Sequence, residues 1–451
     1  MILSVLLTSW LFCQAALSLP AEDFIKQAQS NGGNIYAVIV AGSNNYYNYR
    51  HQSDTAHAYQ ICISHGIPRS RIIMMAFNDI AENARNPSKG SIINKPNGPN
   101  VFRNVVIDYS KYDVTPANFL KVIKGDSSGM SGIGSGRVLQ SGSQDHVFIN
   151  MVDHGAPGIF AFPSGGYLNA NVFIAALKTM HSQNKYFRMA IYLEACESGS
   201  MFNDKLPTNI NIYATTAANE VQSSYACYYD SRLQTYLGDL YSVSWMEDTD
   251  SNDIRRETLN TQYLHTKKRT QGSEVKEYGS IYVSYDAAGY YEGLAAANEI
   301  TPVETENIEA GPANNLVADS VDARDVPVFV EFNKLKDAKT LSEKEEIFKT
   351  LNEIISKRVK LMSRIKDIFH SAIETLDDKP SWEEIHVIKN TDCYHPIAER
   401  VHNKCFDVNQ NEYVLQYFHK FVTLCERGVD SKLVHAAIDK HCTDEQPTGS
   451  I

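Results

Sequence analysis

The chain has 451 residues, 43% of them hydrophobic, and a formal net charge of -11. That length exceeds what one hydrophobic core usually organises, so a catalytic unit and a second unit both fit. The acidic balance excludes a general nucleic-acid binder, which needs a basic face to neutralise phosphates.

Residues 1–18, MILSVLLTSWLFCQAALS, form a short apolar run closed by Ala16-Leu17-Ser18, the small-residue ending that signal peptidase reads. A signal peptide is predicted there, although it lacks an early Lys or Arg. The run is too short to cross a bilayer. No later stretch reaches that length, so a chain in the secretory pathway with no membrane span is expected. No Asn-x-Ser/Thr site with a permitted middle residue occurs, and glycosylation is not expected.

From about residue 34 to 296, short β-branched and aromatic runs alternate with helical patterns, as a sheet with crossover helices requires. Apolar runs over 34–40, 146–152, 189–193 and 211–214 each end in small or polar residues: Ala41-Gly42-Ser43-Asn44, Asp153-His154-Gly155, Glu194-Ala195-Cys196 and Thr215-Thr216-Ala217-Ala218. Ligands bind at such carboxyl ends in open α/β sheets. These four ends are the expected rim of an active site.

Residues 300–327 are rich in Pro, Asn, Glu, Ala and Gly with no sustained apolar period, which reads as an exposed linker. Beyond it, Ser342-Glu343-Lys344-Glu345 resembles a capping box, and Ile347, Leu351, Ile355, Val359, Met362, Ile365 and Phe369 recur at helical spacing. The predicted division is a signal peptide over 1–18, an α/β domain over 19–299, a linker over 300–337 and an all-α domain over 338–451. Cys393, Cys405, Cys425 and Cys442 cluster in the tail, and an even cluster in a secreted chain suggests two disulfides.

Thiol-dependent peptide hydrolysis needs a nucleophile, a base and donors for the oxyanion. Cys196 and His154 meet the first two needs, and the backbone N-H groups of Gly155 and Cys196 are the expected oxyanion donors. Without further context the pair also fits an inert buried thiol and a core imidazole.

The longer strings Val152-Asp153-His154-Gly155 and Glu194-Ala195-Cys196-Glu197-Ser198-Gly199-Ser200 resemble the motifs of the legumains, the C13 asparaginyl endopeptidases. The resemblance extends over about residues 34–290, through Asn48-Tyr49-Arg50-His51-Gln52, Tyr225-Ala226-Cys227-Tyr228-Tyr229-Asp230 and Tyr236-Leu237-Gly238-Asp239, and on into the cysteine-bearing tail. It implies a caspase-like α/β fold: a mostly parallel sheet with helices on both faces, then a disulfide-stapled helical prodomain. It also implies Cys196 as nucleophile, His154 as base and Asn48 beside the histidine, with no cofactor and no metal. Asn45 stands where the family usually has glycine.

A carboxamide offers one acceptor and two donors, so a pocket for asparagine needs a cation opposite acceptors. By resemblance Arg50 donates to the side-chain oxygen, Glu194 and Asp239 accept from the nitrogen, and His51 and Ser224 line the pocket. Cleavage after Asp is then expected only at acidic pH, when carboxylate repulsion is relieved. Asp153 matches a position that can cyclise to a succinimide, a feature associated with peptide ligation.

The resemblance pairs Cys393 with Cys425 and Cys405 with Cys442, and makes the tail an intramolecular inhibitor, with cystatin-type proteins as further partners. A helix from about Lys334 to Lys366 carries ten Lys and Arg against five Asp and Glu, and it is expected to dock on the acidic pocket rim. Seven of the fourteen histidines (His370, His386, His395, His402, His419, His435 and His441) lie in the last quarter, where protonation would loosen docking. Activation requires cleavage after Asn or Asp, with Asn314, Asn315, Asn333 and Asp337 as candidates. The expected destination is the lysosome, another acidic compartment or the exterior. Competing readings are a peptide ligase, a silent binding homologue and a membrane-anchored transamidase subunit.

Overall fold

The computed structural model describes residues 33–294 and 318–443. The predicted signal peptide and candidate cleavage residues Asn314 and Asn315 lie outside the described residues.

The catalytic region runs β1 (Ile35–Ala41), α1 (Tyr49–Ser64), β2 (Ile72–Met75), α2 (Pro116–Lys124), β3 (His146–Val152), β4 (Gly155–Ala156), β5 (Ile159–Ala161), β6 (Tyr167–Asn169), α3 (Ala170–Ser182), β7 (Arg188–Glu194), β8 (Ile212–Thr216), β9 (Tyr225–Asp230), β10 (Thr235–Asp239), α4 (Leu240–Ser251), α5 (Leu259–Arg269), β11 (Lys276–Gly279) and α6 (Gly289–Glu292). Six strands form one sheet in the order β11-β8-β7-β3-β1-β2. All neighbours from β2 to β8 are parallel, and β11 runs antiparallel at the edge.

Strands in such a sheet are covered on both faces, which is why β1, β3 and β7 read as nearly unbroken apolar runs. Val38, Ile149 and Ile191 point into one core, with Phe119 and Phe173 from α2 and α3. Ala37, Ile39 and Phe148 point into the other, with Trp245 from α4. The winding direction reverses between β1 and β3, and that switch point is where such sheets open a crevice.

The second region comprises β12 (Val321–Asp322), α7 (Val326–Asp337), α8 (Leu341–Ala372), α9 (Thr391–Lys404), α10 (Phe418–Glu426) and α11 (Ser431–His441). The pairs Cys393–Cys425 and Cys405–Cys442 are disulfide-bonded, with Cα atoms 5.7 and 5.1 Å apart, as the resemblance implied. The core of this bundle continues into the catalytic region, because Ala156, Ile159 and Ala161 are buried in the same cluster as Ile388, Val408 and Phe418.

Four expectations for this part are corrected. The stretch read as an exposed linker is ordered from residue 318: β12 adds to β9, and Val326 and Val330 of α7 are buried against Ala226, Tyr229 and Tyr236. Its polar composition hid this because only a few residues make the contact. The helix expected over 334–366 is two helices, parted at Ala338 to Thr340, and the capping box is Thr340 with Glu343 rather than one starting at Ser342. The buried stripe of α8 is Ile354, Arg358, Leu361, Ile365 and Ile368, while Ile355 and Val359 face solvent. Several apolar seams fit one long helix by period, and packing selects among them.

Candidate active site

Register brings the two motifs together. In the β3–β7 pairing Val152 lies beside Glu194, and the Asp153 N-H donates to the Glu194 carbonyl at 3.0 Å. His154 and Cys196 therefore leave the sheet side by side. At Gly155 a Cβ atom would lie 2.1 Å from the Cys196 carbonyl oxygen, so only glycine allows this approach.

β1 delivers the third group. Asn45 has φ of 65° and ψ of 162°, outside the left-handed helical well that asparagine tolerates and in a region otherwise left to glycine, and its side chain accepts from the Tyr47 N-H at 3.0 Å. The turn brings Asn48 to His154, with its Oδ1 2.9 Å from the imidazole Nε2. The Cys196 Sγ accepts from the Ser224 N-H at 3.3 Å. Burial pushes the Cys196 thiol up to about 12, aided by Glu197 and Asp322 and opposed by Arg324, so this sulfur is protonated.

The pocket residues also converge. Arg50 Nε donates to Asp239 Oδ1 at 2.9 Å, and both side chains are buried. Glu194 Oε2 accepts from the Ser242 N-H and hydroxyl, each at 2.9 Å. The other oxygens, Glu194 Oε1 and Asp239 Oδ2, are buried without a donor. His51 lies between, with Nδ1 2.7 Å from the Ser43 hydroxyl and Nε2 3.6 Å from Asp239 Oδ2. Burial, then Arg50 and His154, lower its pKa well below the usual histidine value. Burial and then Asp239 raise Glu194; Asp239 is raised by burial against the lowering influence of Arg50.

Sequence reasoning missed Asp54, a third buried carboxyl that accepts from the Asp239 N-H at 3.1 Å and from Asn94 at 2.6 Å. Its place four residues after Arg50 on α1, on the same helix face, was the available signal. Burial and Asp239 raise its pKa well above the ordinary value. Asp153 is likewise raised, by burial and then by Glu412, and lies against Gly42, where a Cβ would come within 2.5 Å of its Oδ2.

The rest of the chain lies across this rim. β12 pairs antiparallel with β9, the Ala323 N-H donates to the Ser224 carbonyl at 2.9 Å, and the Ala323 carbonyl accepts from Arg50 Nη2 at 3.4 Å. Arg324 ion-pairs with Glu197 and donates to the Gly155 carbonyl at 3.1 Å. Glu412 accepts from Asn48 and sits 3.1 Å from His154 Nε2. His419 Nε2 is 3.1 Å from Glu197 Oε1. The covering segment thus brings Arg324 to the site, upstream of the basic stretch expected to dock there, and an acid, Glu412, meets the histidine. Within that stretch Arg358 instead binds Asp325 at 2.7 Å. Asn333 lies inside α7 and Asp337 at its exposed end.

A thiol and an imidazole at adjacent strand ends, covered by a later segment of the same chain, define the class: a cysteine endopeptidase in precursor form. The chain belongs to the Peptidase C13 family, which matches residues 35–294, and the family described as legumain, prodomain matches residues 349–442. It is 39% identical to legumain of Mus musculus, over 91% of this chain and 93% of that one. It is 39% identical to legumain of Homo sapiens, over 94% and 95%. A plant relative, the vacuolar-processing enzyme delta-isozyme of Arabidopsis thaliana, is 37% identical over 94% and 93%. A caspase-1 structure from Spodoptera frugiperda overlaps at 7% identity over 55% of this chain and 87% of that one, with a TM-score of 0.32, a likeness that carries no argument. The protein is a cysteine endopeptidase zymogen.

Proposed function

We propose that Cys196 attacks peptide bonds following asparagine, with His154 as its base, and that the segment around Ala323 blocks this reaction until acid loosens the tail. The observation that carries the reading is the position of Ala323, which makes a strand-like contact with Ser224 and sets its carbonyl against Arg50. Peptides bind such edges by adding a strand.

Asn48 occupies His154 Nε2, which leaves Nδ1 to take the thiol proton. The thiolate adds to the scissile carbonyl, and the N-H groups of Gly155 and Cys196 hold the oxyanion. His154 then returns its proton to the leaving amine, and water at the thioester releases the acid. An amine in place of water joins two peptides, the ligase outcome. Burial and then Glu412 raise the Asp153 carboxyl well above its ordinary value, which favours succinimide formation since a neutral carboxyl is the better electrophile.

Arg50 receives the asparagine oxygen, and the unfilled acceptors Glu194 Oε1 and Asp239 Oδ2 receive its amide hydrogens. His51 and Ser224 wall the pocket. An aspartate fits only when protonated, so its cleavage requires acid. Among the described residues no helix is long and apolar enough to cross a membrane. With the apolar leader, this supports delivery to a lysosome-like compartment or the exterior. Asn333 must unwind from α7 before an extended-strand site accepts it, whereas Asp337 at the helix end needs less rearrangement.

The test uses acid-treated protein and its Cys196→Ala variant, each given a peptide with one Asn, one Asp and one Lys. Cleavage after Asn by the parent alone supports nucleophile and specificity together. An intact peptide from parent protein whose tail is demonstrably removed rejects the assignment.

A further inference from the structure

Away from these strand ends, α4, α5 and their connection bring three chemistry-bearing side chains together. His265 Nδ1 lies 3.0 Å from Asp248 Oδ1 and 3.3 Å from Glu257 Oε1. The Asp248 and Glu257 side chains are 8% and 7% exposed, against 49% for His265. Asp248 Oδ2 and Glu257 Oε2 are both buried without a hydrogen-bond partner. A buried carboxylate oxygen lacking a donor is costly, and two held together more so. A proton shared between the two carboxyls is one way to fill this place. A cation is the other.

We infer that Asp248, Glu257 and His265 bind a divalent metal ion of the zinc class and so clamp the corner between α4 and α5. One imidazole nitrogen with two carboxylate oxygens is a donor set that borderline ions accept. Bonds of about 2.0–2.1 Å in a tetrahedron put ligand atoms roughly 3.3 Å apart, close to the 3.0 and 3.3 Å from His265 Nδ1 to Asp248 Oδ1 and Glu257 Oε1. The open side of the half-exposed imidazole leaves a fourth position for water. Asn252 Nδ2 donates to Asp248 Oδ1 at 3.0 Å and fixes that carboxylate, as partners of metal-binding groups do. The clamp holds the far end of the helix whose N-terminus carries Asp239. The sequence reading assigned no metal, because the three residues follow no familiar ligand spacing.

The experiment titrates Zn2+ into chelator-treated full-length precursor at pH 7.5 by calorimetry, in a Cys196→Ala background so that the thiol does not compete. Glu257→Gln and His265→Ala are compared with that parent, and each is also melted with and without zinc. The expected result is one binding site, and a zinc-dependent rise in Tm, present in the parent and lost in both variants. Equal stoichiometry and affinity in the parent and the near-isosteric Glu257→Gln variant overturns the site. An equal Tm rise with Ca2+ overturns the zinc class.

Discussion

Asn48 and Glu412, 364 positions apart, meet directly: Asn48 Nδ2 donates to both carboxylate oxygens of Glu412, at 2.9 and 2.8 Å. The asparagine that touches His154 is therefore held by the tail as well. Hydrogen bonds to a charged group contribute about 1.5–3 kcal/mol, so Glu412→Ala is expected to weaken tail binding on the order of 10- to 100-fold. In linker-cut protein at pH 6.5, residual peptidase activity rises accordingly. An unchanged dissociation constant removes Glu412 from the latch.

Arg324 and Glu197 form an ion pair with side chains only 8% and 2% exposed. Removing one partner of such a pair costs roughly 3–5 kcal/mol, because the other charge stays buried. Arg324→Ala is expected to lower the melting temperature of the precursor by several degrees. Arg324→Ala combined with Glu197→Gln recovers part of the loss, and a double variant no better than the single argues that packing, not charge, is at stake.

Cys196 is held at about 12 in the precursor, above the ordinary thiol value, so its thiolate fraction at pH 8 is on the order of one in ten thousand. Iodoacetamide is expected to alkylate it far more slowly than free cysteine, and to react rapidly once the tail is gone. Equal rates before and after tail removal contradict this account of latency.

Asp239 shares the pocket with Arg50. Asp239→Asn takes away an acceptor and leaves the guanidinium without its partner, and a site built to hydrogen-bond an amide loses discrimination steeply when one group is mispaired. The kcat/KM for Asn peptides is expected to fall by roughly a hundredfold or more, and the melting temperature falls as well, because the buried Arg50 charge loses its partner. A variant retaining full Asn selectivity places the pocket elsewhere.

Acid should undock the tail in two stages. His395 faces Gly158, with Lys205 and Asp392 nearby, and burial lowers its pKa. His402 stacks edge-on to Tyr167, with Asp407 and Glu399 nearby, and burial lowers it too. The docked state then binds fewer protons than the released one, so docking is fully stable above the ordinary value of 6.5 and weakens as pH falls below it. Glu197 would be raised by burial, but Arg324 and His419 hold it below its ordinary value of 4.5, so this contribution is lost only at lower pH. His395→Gln with His402→Gln is expected to move the release midpoint to lower pH, read by light scattering of linker-cut protein. A midpoint that stays put assigns the switch to other groups.

The strands were legible because a parallel strand covered on both faces must be apolar along its length, and the motif ends followed from where those runs stop. Cys196, His154, Arg50, Glu194 and Asp239 could be singled out from those ends and from likeness to relatives. Asp54 was missed although its helical spacing from Arg50 was on display, since a lone Asp on a helix is ordinarily solvated. Arg324 and Glu412 carried no local signal, His419 was picked out only as one of seven tail histidines, and the bases expected to dock, over 334–366, include Arg358, which turns to Asp325 instead.

The sequence by itself determined the sheet, the two motif ends and a cysteine-bearing helical tail, because apolar periodicity and backbone chemistry act over a few residues. Only the tertiary structure decided which residues of the tail close the site and that 318–337 is part of the closure. A hydrogen bond between Asn48 and Glu412 depends on how two regions far apart in the chain pack together, and no spacing along the chain encodes that distance.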